Sequence, residues 1–187
     1  MPLPTPAPRR LLHTRTVTCT GFLRDDGLWD LEGELLDVKT YTYDDRERGD
    51  LPPGKPMHHM RVRLTVDNDL VLKEIVTNMA EIPFTHCAGA TGSAPSLVGA
   101  TLGPGWRRAV DSGMKGVKGC SHIRELLYAV ATTAFQTISS YREQFMKELG
   151  APKSGAGEAP FFLDQCHSWA STSPVVARFL PKHFRKE

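Results

Sequence analysis

The residues Gly119-Cys120-Ser121-His122 introduce the longest periodic run of the chain, IRELLYAVATTAFQTISSYREQFMKEL at positions 123–149. Apolar residues recur there at steps of three or four, which predicts an amphipathic helix with one wide apolar stripe. Ser121 is a suitable N-cap residue, and Gly150 and Pro152 are predicted to end the helix. The stripe comprises Ile123, Leu126, Leu127, Val130, Ala134, Ile138, Tyr141, Phe145 and Leu149.

Cys120 stands directly before this predicted helix. Free N–H groups and the helix dipole favour an anionic thiolate at such a position. The position therefore suits a reactive or metal-ligating cysteine. The alternative is a small apolar residue packed beneath the start of the helix.

The composition is that of a globular protein with one domain and tails. The chain has 187 residues, of which 40% are hydrophobic and 24% charged, with a net charge of +2. It has no basic run with interleaved aromatics and no run of ~18 apolar residues, so we expect neither a nucleic-acid nor a membrane partner. The first fifteen residues, MPLPTPAPRRLLHTR, lack the apolar core of a signal peptide. We therefore expect a cytoplasmic protein whose four scattered cysteines are free thiols or ligands.

Residues 13–149 are predicted to form a single α+β domain behind an irregular arm at 1–12. β-Branched residues at 14–20, a turn ending in Asp26-Gly27, and alternating runs at 29–43, 61–66 and 70–79 predict a four-stranded antiparallel meander. Trp29, Leu31, Gly33 and Leu35 fall on one face of the second strand. The sheet is expected to pack on the long amphipathic helix near the C-terminus.

Other segments carry weaker signals. The intervening carboxylates Asp30, Glu32 and Glu34 are interpreted as the solvated face of their strand. Positions 44–55 are predicted to form a charged loop, and short helices are predicted at 95–101 and 106–112. Residues 150–187 are predicted to be a linker and a tail whose aromatic segment at 161–169 docks onto the domain of its own chain or of a neighbour.

Cysteines and histidines cluster at the predicted ends of elements, where a fold can bring distant residues together. Thiolate and imidazole are ligands of zinc, iron and iron–sulfur clusters. No CxxC pair or HExxH sequence is present, so spacing alone identifies no known site class. The candidate metal ligands are His58, Cys87, Cys120, His122, Cys166 and His167.

A nucleophilic cysteine is the competing chemistry. Cys120 would be activated by the helix N-terminus and by a histidine such as His58 or His167. His122 is a poor partner on helical geometry unless Cys120 lies just outside the helix. Asp164 could handle a proton, or cap a turn. The catalytic candidates are therefore Cys120, His122 and Asp164.

Phrases along residues 13–169 resemble a bacterial family of uncharacterised function. They include HTR at 13–15, DGLWDLEGELLDVK at 26–39, HHMRVRLTVD at 58–67, LVGATLGPGW at 97–106, GCSHIRELL at 119–127 and ATTAFQT at 131–137. The resemblance implies a genomic context, in bacteria that degrade aromatic or lipid-like acids, and no particular activity.

The central part of the chain, residues 60–135, resembles the U-type iron–sulfur cluster scaffold proteins (IscU and its relatives). MRVRLTVDNDLVLKEIV at 60–76 is similar to their strand pair, Cys87 to their middle cysteine, and VKGCSHIRELLYAVATTAF at 117–135 to their last cysteine and helix. The resemblance implies that Cys87 and Cys120 converge. Pro56 stands near the first scaffold cysteine, and His58 near the acidic ligand. Gly119 replaces the usual histidine, while His122 follows the last cysteine.

The departures favour a zinc or mononuclear iron site over a cluster. The leading hypothesis is a cytosolic protein with a His/Cys metal site at the N-terminus of the main helix. It would be a small metal-dependent enzyme acting on an acyl or aromatic compound, although enzymatic activity stays open. The alternatives are an iron–sulfur or metal-delivery protein that serves partner proteins, and an interaction module whose cysteines are structural.

Overall fold

The computed structural model describes residues 3–148, 159–160 and 162–186. Its contacts divide the chain into two compact units, Met1–Glu143 and Gln144–Glu187. The predicted linker at 150–158 and the predicted helix end at Leu149 lie outside the described residues. The first unit contains the sheet and the segment that opens with Cys120.

The mixed α+β architecture predicted from sequence is confirmed. Strands β1, β2, β5 and β6 form an antiparallel sheet in the order β1-β2-β5-β6, which is a meander along the chain. A separate two-stranded sheet pairs β3 with β4. The strands are β1 His13–Leu23, β2 Trp29–Lys39, β3 Tyr43–Asp45, β4 Gly49–Leu51, β5 Pro56–Val66 and β6 Leu72–Glu81.

The helices follow the sheet in sequence. The α-helices are α1 Trp106–Met114, α2 Ser121–Ala134, α3 Ser140–Glu148 and α4 Pro174–Phe179. A π-helical turn, Phe135–Ser139, connects α2 to α3. Short 3₁₀ segments include Thr85–Thr91 and Ala94–Leu97, so the helix predicted at 95–101 is a single 3₁₀ turn. No helix in the described part of the chain combines the length and apolarity needed to cross a membrane.

The core lies between the sheet and α2. β2 alternates as predicted, with Trp29, Leu31 and Leu35 buried. On β5 and α2 the buried side chains include Val62, Leu64, Val66, Ile123, Leu127 and Val130. Gly33 permits close approach of the helix, because a Cβ there would lie 2.5 Å from Val130 Cγ2 and 3.0 Å from Leu126 Cδ1.

Two strand boundaries differ from the sequence prediction. The alternating run at 29–43 ends as strand at Lys39, and the predicted loop at 44–55 contains the β3–β4 pair. Buried Asp45 holds this small hairpin together by accepting hydrogen bonds from the backbone N–H groups of Glu47 and Arg48. Local turn chemistry of this kind leaves no hydrophobic periodicity, which is why the prediction missed it.

Candidate metal centre

The candidate site is centred on Asp37, near the end of β2. Its side chain continues the inward-facing series of Trp29, Leu31, Gly33 and Leu35 and is only 1% exposed. Strand register places Arg15 of β1 and His58 of β5 on either side of Asp37. The three side chains therefore form one row across three adjacent strands.

The first turn of α2 brings His122 to this row. Asp37 Oδ2 lies 3.1 Å from His58 Nδ1 and 3.8 Å from His122 Nε2. The two imidazole rings lie face to face, with centroids 4.0 Å apart and an interplanar angle of 32°. The neighbouring residue His59 lies on the opposite face of the strand, within 2.6 Å of Glu34 Oε1. Strand alternation therefore separates the two adjacent histidines.

Cys120 contacts the other nitrogen of His122. Its Sγ lies 3.7 Å from His122 Nδ1. Cys120 is the N-cap of α2, with extended backbone angles of φ −96° and ψ 130°, so it lies just outside the helix. That is the condition under which two residues so close in sequence can face each other. His122 consequently links the thiol on one side to the carboxylate on the other.

Basic side chains hold the Asp37 carboxylate in a fixed orientation. Arg15 donates two hydrogen bonds of 2.8 Å, from Nε to Oδ1 and from Nη2 to Oδ2. His13 Nε2 lies 3.1 Å from Oδ1. Arg15 also donates through Nη1 to Glu125 on α2, at 3.1 Å. A bidentate guanidinium fixes the plane of a carboxylate, so Arg15 orients the carboxylate that faces His58 and His122.

The ionisation of the cluster follows from burial and charge. Burial opposes the ionisation of Asp37, but the hydrogen bonds and charge of Arg15, with His58 and His13, hold the pKa of this carboxyl below its usual range. Burial lowers the pKa of His58, as does the charge of His122. Burial and the charge of Arg15 lower the pKa of His122. A negative carboxylate thus faces two imidazoles that favour the neutral form.

The lowered histidine pKa values make the stability of the metal-free protein depend on pH. The unfolded chain takes up protons on these histidines near the ordinary value of about 6.5, before the folded chain does. The contribution of these histidines to the free energy of unfolding is therefore fully present above that value and is lost as pH falls through the pKa values of the folded state. We expect the thermal unfolding midpoint of the metal-free protein to fall between pH 8 and pH 5, and the fall to be shallower in a His58→Gln/His122→Gln variant. His86→Gln, at an exposed histidine, should retain the wild-type slope. Equal slopes in all three proteins would contradict the assignment.

The remaining candidates are not members of this group of described residues. Cys87 is half-buried in the 3₁₀ segment Thr85–Thr91. Cys166, His167 and Asp164 belong to the second unit, where Cys166 is exposed. Asp164 accepts a hydrogen bond from the Ser171 backbone N–H at 2.6 Å, which is the behaviour of a turn-capping carboxylate.

Asp37 and Arg15 are the site residues that sequence reasoning missed. A usable signal was present in the alternation of β2. The next inward-facing position after Leu35 is Asp37. A buried carboxylate requires hydrogen-bonding or charged partners. The partners themselves could not be identified without the strand register.

Metal-ligating residue types converge at this position only, within the part of the chain that the structure describes. Each of Asp37, His58 and His122 offers one ligand atom, and the three atoms lie within 4.8 Å of one another. Cys120 is a neighbour of the group through His122 and is not a member of it.

Comparison with known proteins gives a family and nothing further. A family profile described as "Protein of unknown function (DUF2889)" matches residues 13–136. No curated protein and no solved structure matched the chain, so the resemblance to the U-type scaffold proteins gains no support. The matched segment contains β1 to β6, α1 and α2, and with them Arg15, Asp37, His58 and His122. The chain belongs to the DUF2889 family.

Proposed function

We propose that the protein binds a divalent transition-metal ion, zinc or ferrous iron, through Asp37, His58 and His122. The observation that carries the proposal is the convergence of a buried carboxylate and two imidazoles, within 4.8 Å, from three separate elements. Two histidines and one carboxylate form a recurring protein ligand set for catalytic zinc and for non-haem iron. Both histidines favour the neutral, ligating form because of their lowered pKa values.

The spacing of the ligand atoms supports a shared ion. Ligands about 2.0–2.1 Å from a tetrahedral metal lie about 3.4 Å from one another. The distances from Asp37 Oδ2, 3.1 Å to His58 Nδ1 and 3.8 Å to His122 Nε2, bracket that value. The ligand atoms of the two histidines also lie within 4.8 Å of each other, so all three atoms are close enough to approach one ion after side-chain adjustment.

The surrounding side chains fit supporting roles. Ligating histidines commonly use their second ring nitrogen to make an orienting hydrogen bond. Cys120 Sγ lies beside His122 Nδ1 and can accept such a bond, while Arg15 orients Asp37. Three protein ligands leave a position for water, whose pKa falls to about 7 on zinc. Such an arrangement would suit hydrolytic or hydration chemistry, and we carry the acyl or aromatic substrate and the cytoplasmic location over from the sequence as part of the proposal.

Metal analysis tests the proposal directly. After loading with zinc or cobalt(II) and extensive dialysis, we expect about one ion per wild-type chain and less than a tenth of that in His58→Ala, because two ligands hold an ion far more weakly than three. The matched control is His86→Ala, at an exposed histidine, which should retain the ion. Full occupancy in His58→Ala, or none in the wild type, would overturn the proposal.

The cobalt(II) spectrum distinguishes the proposed ligand set from the cysteine-containing set expected from sequence. Oxygen and nitrogen ligands alone give d–d bands without a near-ultraviolet sulfur-to-cobalt charge-transfer band. A charge-transfer band that disappears in Cys120→Ser would make Cys120 a ligand, and one that disappears in Cys87→Ser would favour the U-type scaffold alternative.

A thiol nucleophile is the second candidate, supported by the chain of contacts from Cys120 through His122 to Asp37. In this case His122 would take the thiol proton and Asp37 would orient the imidazole. Alkylation of the metal-free protein by iodoacetamide discriminates between the two. A rapid reaction at Cys120 that slows at least tenfold in His122→Ala favours the nucleophile. If the protein shows neither metal binding nor rapid alkylation, the interaction module with structural cysteines becomes the favoured function.

A further inference from the structure

Strand β1 presents a long outer edge in the part of the chain that the structure describes. It is one of the two edge strands of the four-stranded sheet, and nine of its eleven residues are exposed, with only Cys19 and Gly21 half-buried. It pairs with β2 over its full length without a register shift. Soluble proteins usually protect an edge with proline, lysine, a bulge or a short strand. β1 has none of these, and its one arginine turns inward to Asp37.

The other edge strand, β6, is irregular and partly covered by a loop. Two register shifts interrupt its pairing with β5. Near its start, Leu72 N donates to Ala100 O, and Gly99 N donates to Leu72 O, so a loop covers the first part of the edge. The contrast makes β1 the edge at which a further strand can add.

We propose that β1 pairs with β1 of a second copy of the chain, in an antiparallel arrangement about a twofold axis. About a twofold axis, residue i of one copy faces residue j of the other, and residue j of the first faces residue i of the second. The side chains of the strand must therefore be compatible with one another. Only Arg15 and His13 carry or acquire charge, and both lie at one end. With the axis at Val17, Thr18 or Cys19, Arg15 faces Cys19, Gly21 or Leu23 of the other copy, never its own equivalent.

The side chains of β1 also suit this partner. Gly21 and Cys19 face Thr137 and Thr133 of the helical side, which places the even-numbered residues on the open face. The open side presents Thr14, Thr16, Thr18, Thr20 and Phe22. With the axis at Thr18, Thr16 faces Thr20 and Thr18 faces its own equivalent, which are favourable cross-strand pairs, while Thr14 faces Phe22. On the helical side, the exposed side chain of Val17 then faces Cys19 of the other copy.

The size of the contact sets its strength. Eleven residues at about 3.4 Å each give an edge of roughly 37 Å, and a sheet with its side chains is about 10 Å thick. A strip of these dimensions is smaller than a standard interface of about 800 Å² per partner. We therefore expect a dimer that forms in the micromolar range and dissociates on dilution.

Light scattering on the full chain over a dilution series tests the proposal. The wild type should approach twice the chain mass of 20.7 kDa at about 0.2 mM and return toward that mass near 1 µM. Val17→Lys places a charge at the paired edge and should weaken dimerisation at least tenfold. Val17 is 45% exposed, so the substitution leaves the core intact, which circular dichroism can verify.

The matched control is Val76→Lys on β6, at a valine that is 41% exposed on the other edge strand. It should dimerise like the wild type. A wild type that stays monomeric at about 0.2 mM would overturn the proposal, as would a dimer that Val17→Lys leaves unchanged. The result does not depend on metal binding, because no ligand is altered.

Discussion

The Asp37→Asn variant is expected to lose both stability and metal affinity. Asparagine keeps the size of the side chain but removes the charge that faces Arg15, His13 and His58. Breaking a fully buried ion pair costs about 3–5 kcal/mol. Arg15 is 36% exposed and keeps Glu125 as a partner, so we expect about 2 kcal/mol, measured as the free energy of unfolding in urea. The affinity for zinc should fall at least 100-fold, since a neutral amide oxygen replaces a ligating carboxylate.

Asp30→Asn is the control for this measurement. Asp30 lies on the same strand as Asp37 but on the opposite face, where it accepts a hydrogen bond from Thr65 Oγ1 at 2.6 Å. An amide oxygen can accept the same bond, and the ion pair of Asp30 with Arg24 is long, at 3.6 Å, and partly exposed, so the variant should stay within about 0.5 kcal/mol of the wild type and bind metal normally. If Asp37→Asn behaves like this control, Asp37 is neither a ligand nor a structural charge. Loss of stability with undiminished zinc affinity would leave only the structural role.

The Gly33→Val variant is expected to lose about 3 kcal/mol, because the added side chain would overlap side chains of α2 in the core. A Cβ at this position would already lie 2.5 Å from Val130 Cγ2, and Val130 is fully buried. The backbone at Gly33 does not have the positive φ that would itself require glycine, so the cost is purely steric. Urea unfolding followed by circular dichroism measures it.

A compensating change makes this prediction specific. Val130→Ala removes the atom closest to the new side chain, so the double variant should recover at least 1 kcal/mol relative to the sum of the two single variants. Gly89→Val is the control, since no atom lies within 4 Å of a Cβ built there. Additive effects in the double variant would show that the helix and strand are separated more widely than the structure has them.

Hydrophobic periodicity predicted the main sheet well, because successive side chains of a half-buried strand face the core and the solvent in turn. The residues of β2 and β5 illustrate this, with inward Leu31 and Val62 and outward Glu32 and Arg61. The β3–β4 hairpin was missed because hydrogen bonds to Asp45, rather than burial, hold it together. The π-helical turn at Phe135–Ser139 was also missed. The predicted apolar stripe is buried as far as Ile138, but beyond the turn Tyr141 and Phe145 are exposed, so that part of the stripe prediction is wrong.

The candidate site was only partly predictable. His58 and His122 were identified as ligand candidates because they stand at the ends of elements. Asp37 was not, although its inward position on a strand was readable. Arg15 could not be found at all, since its partner is set by which strand lies beside β2 and in which register. The predicted convergence of Cys87 with Cys120 came from the scaffold resemblance and stays a prediction.

The row formed by Arg15, Asp37 and His58 has a consequence for how sequences of this kind can vary. Neighbouring residues in the row are separated by twenty-odd positions in sequence but by one strand spacing in space. Insertions in the connections at 24–28 and 40–55 leave the row intact. A single-residue deletion inside a strand turns every later side chain of that strand to the other face, which would exchange His58 with His59. Length changes that preserve the site should therefore be confined to the connections between strands.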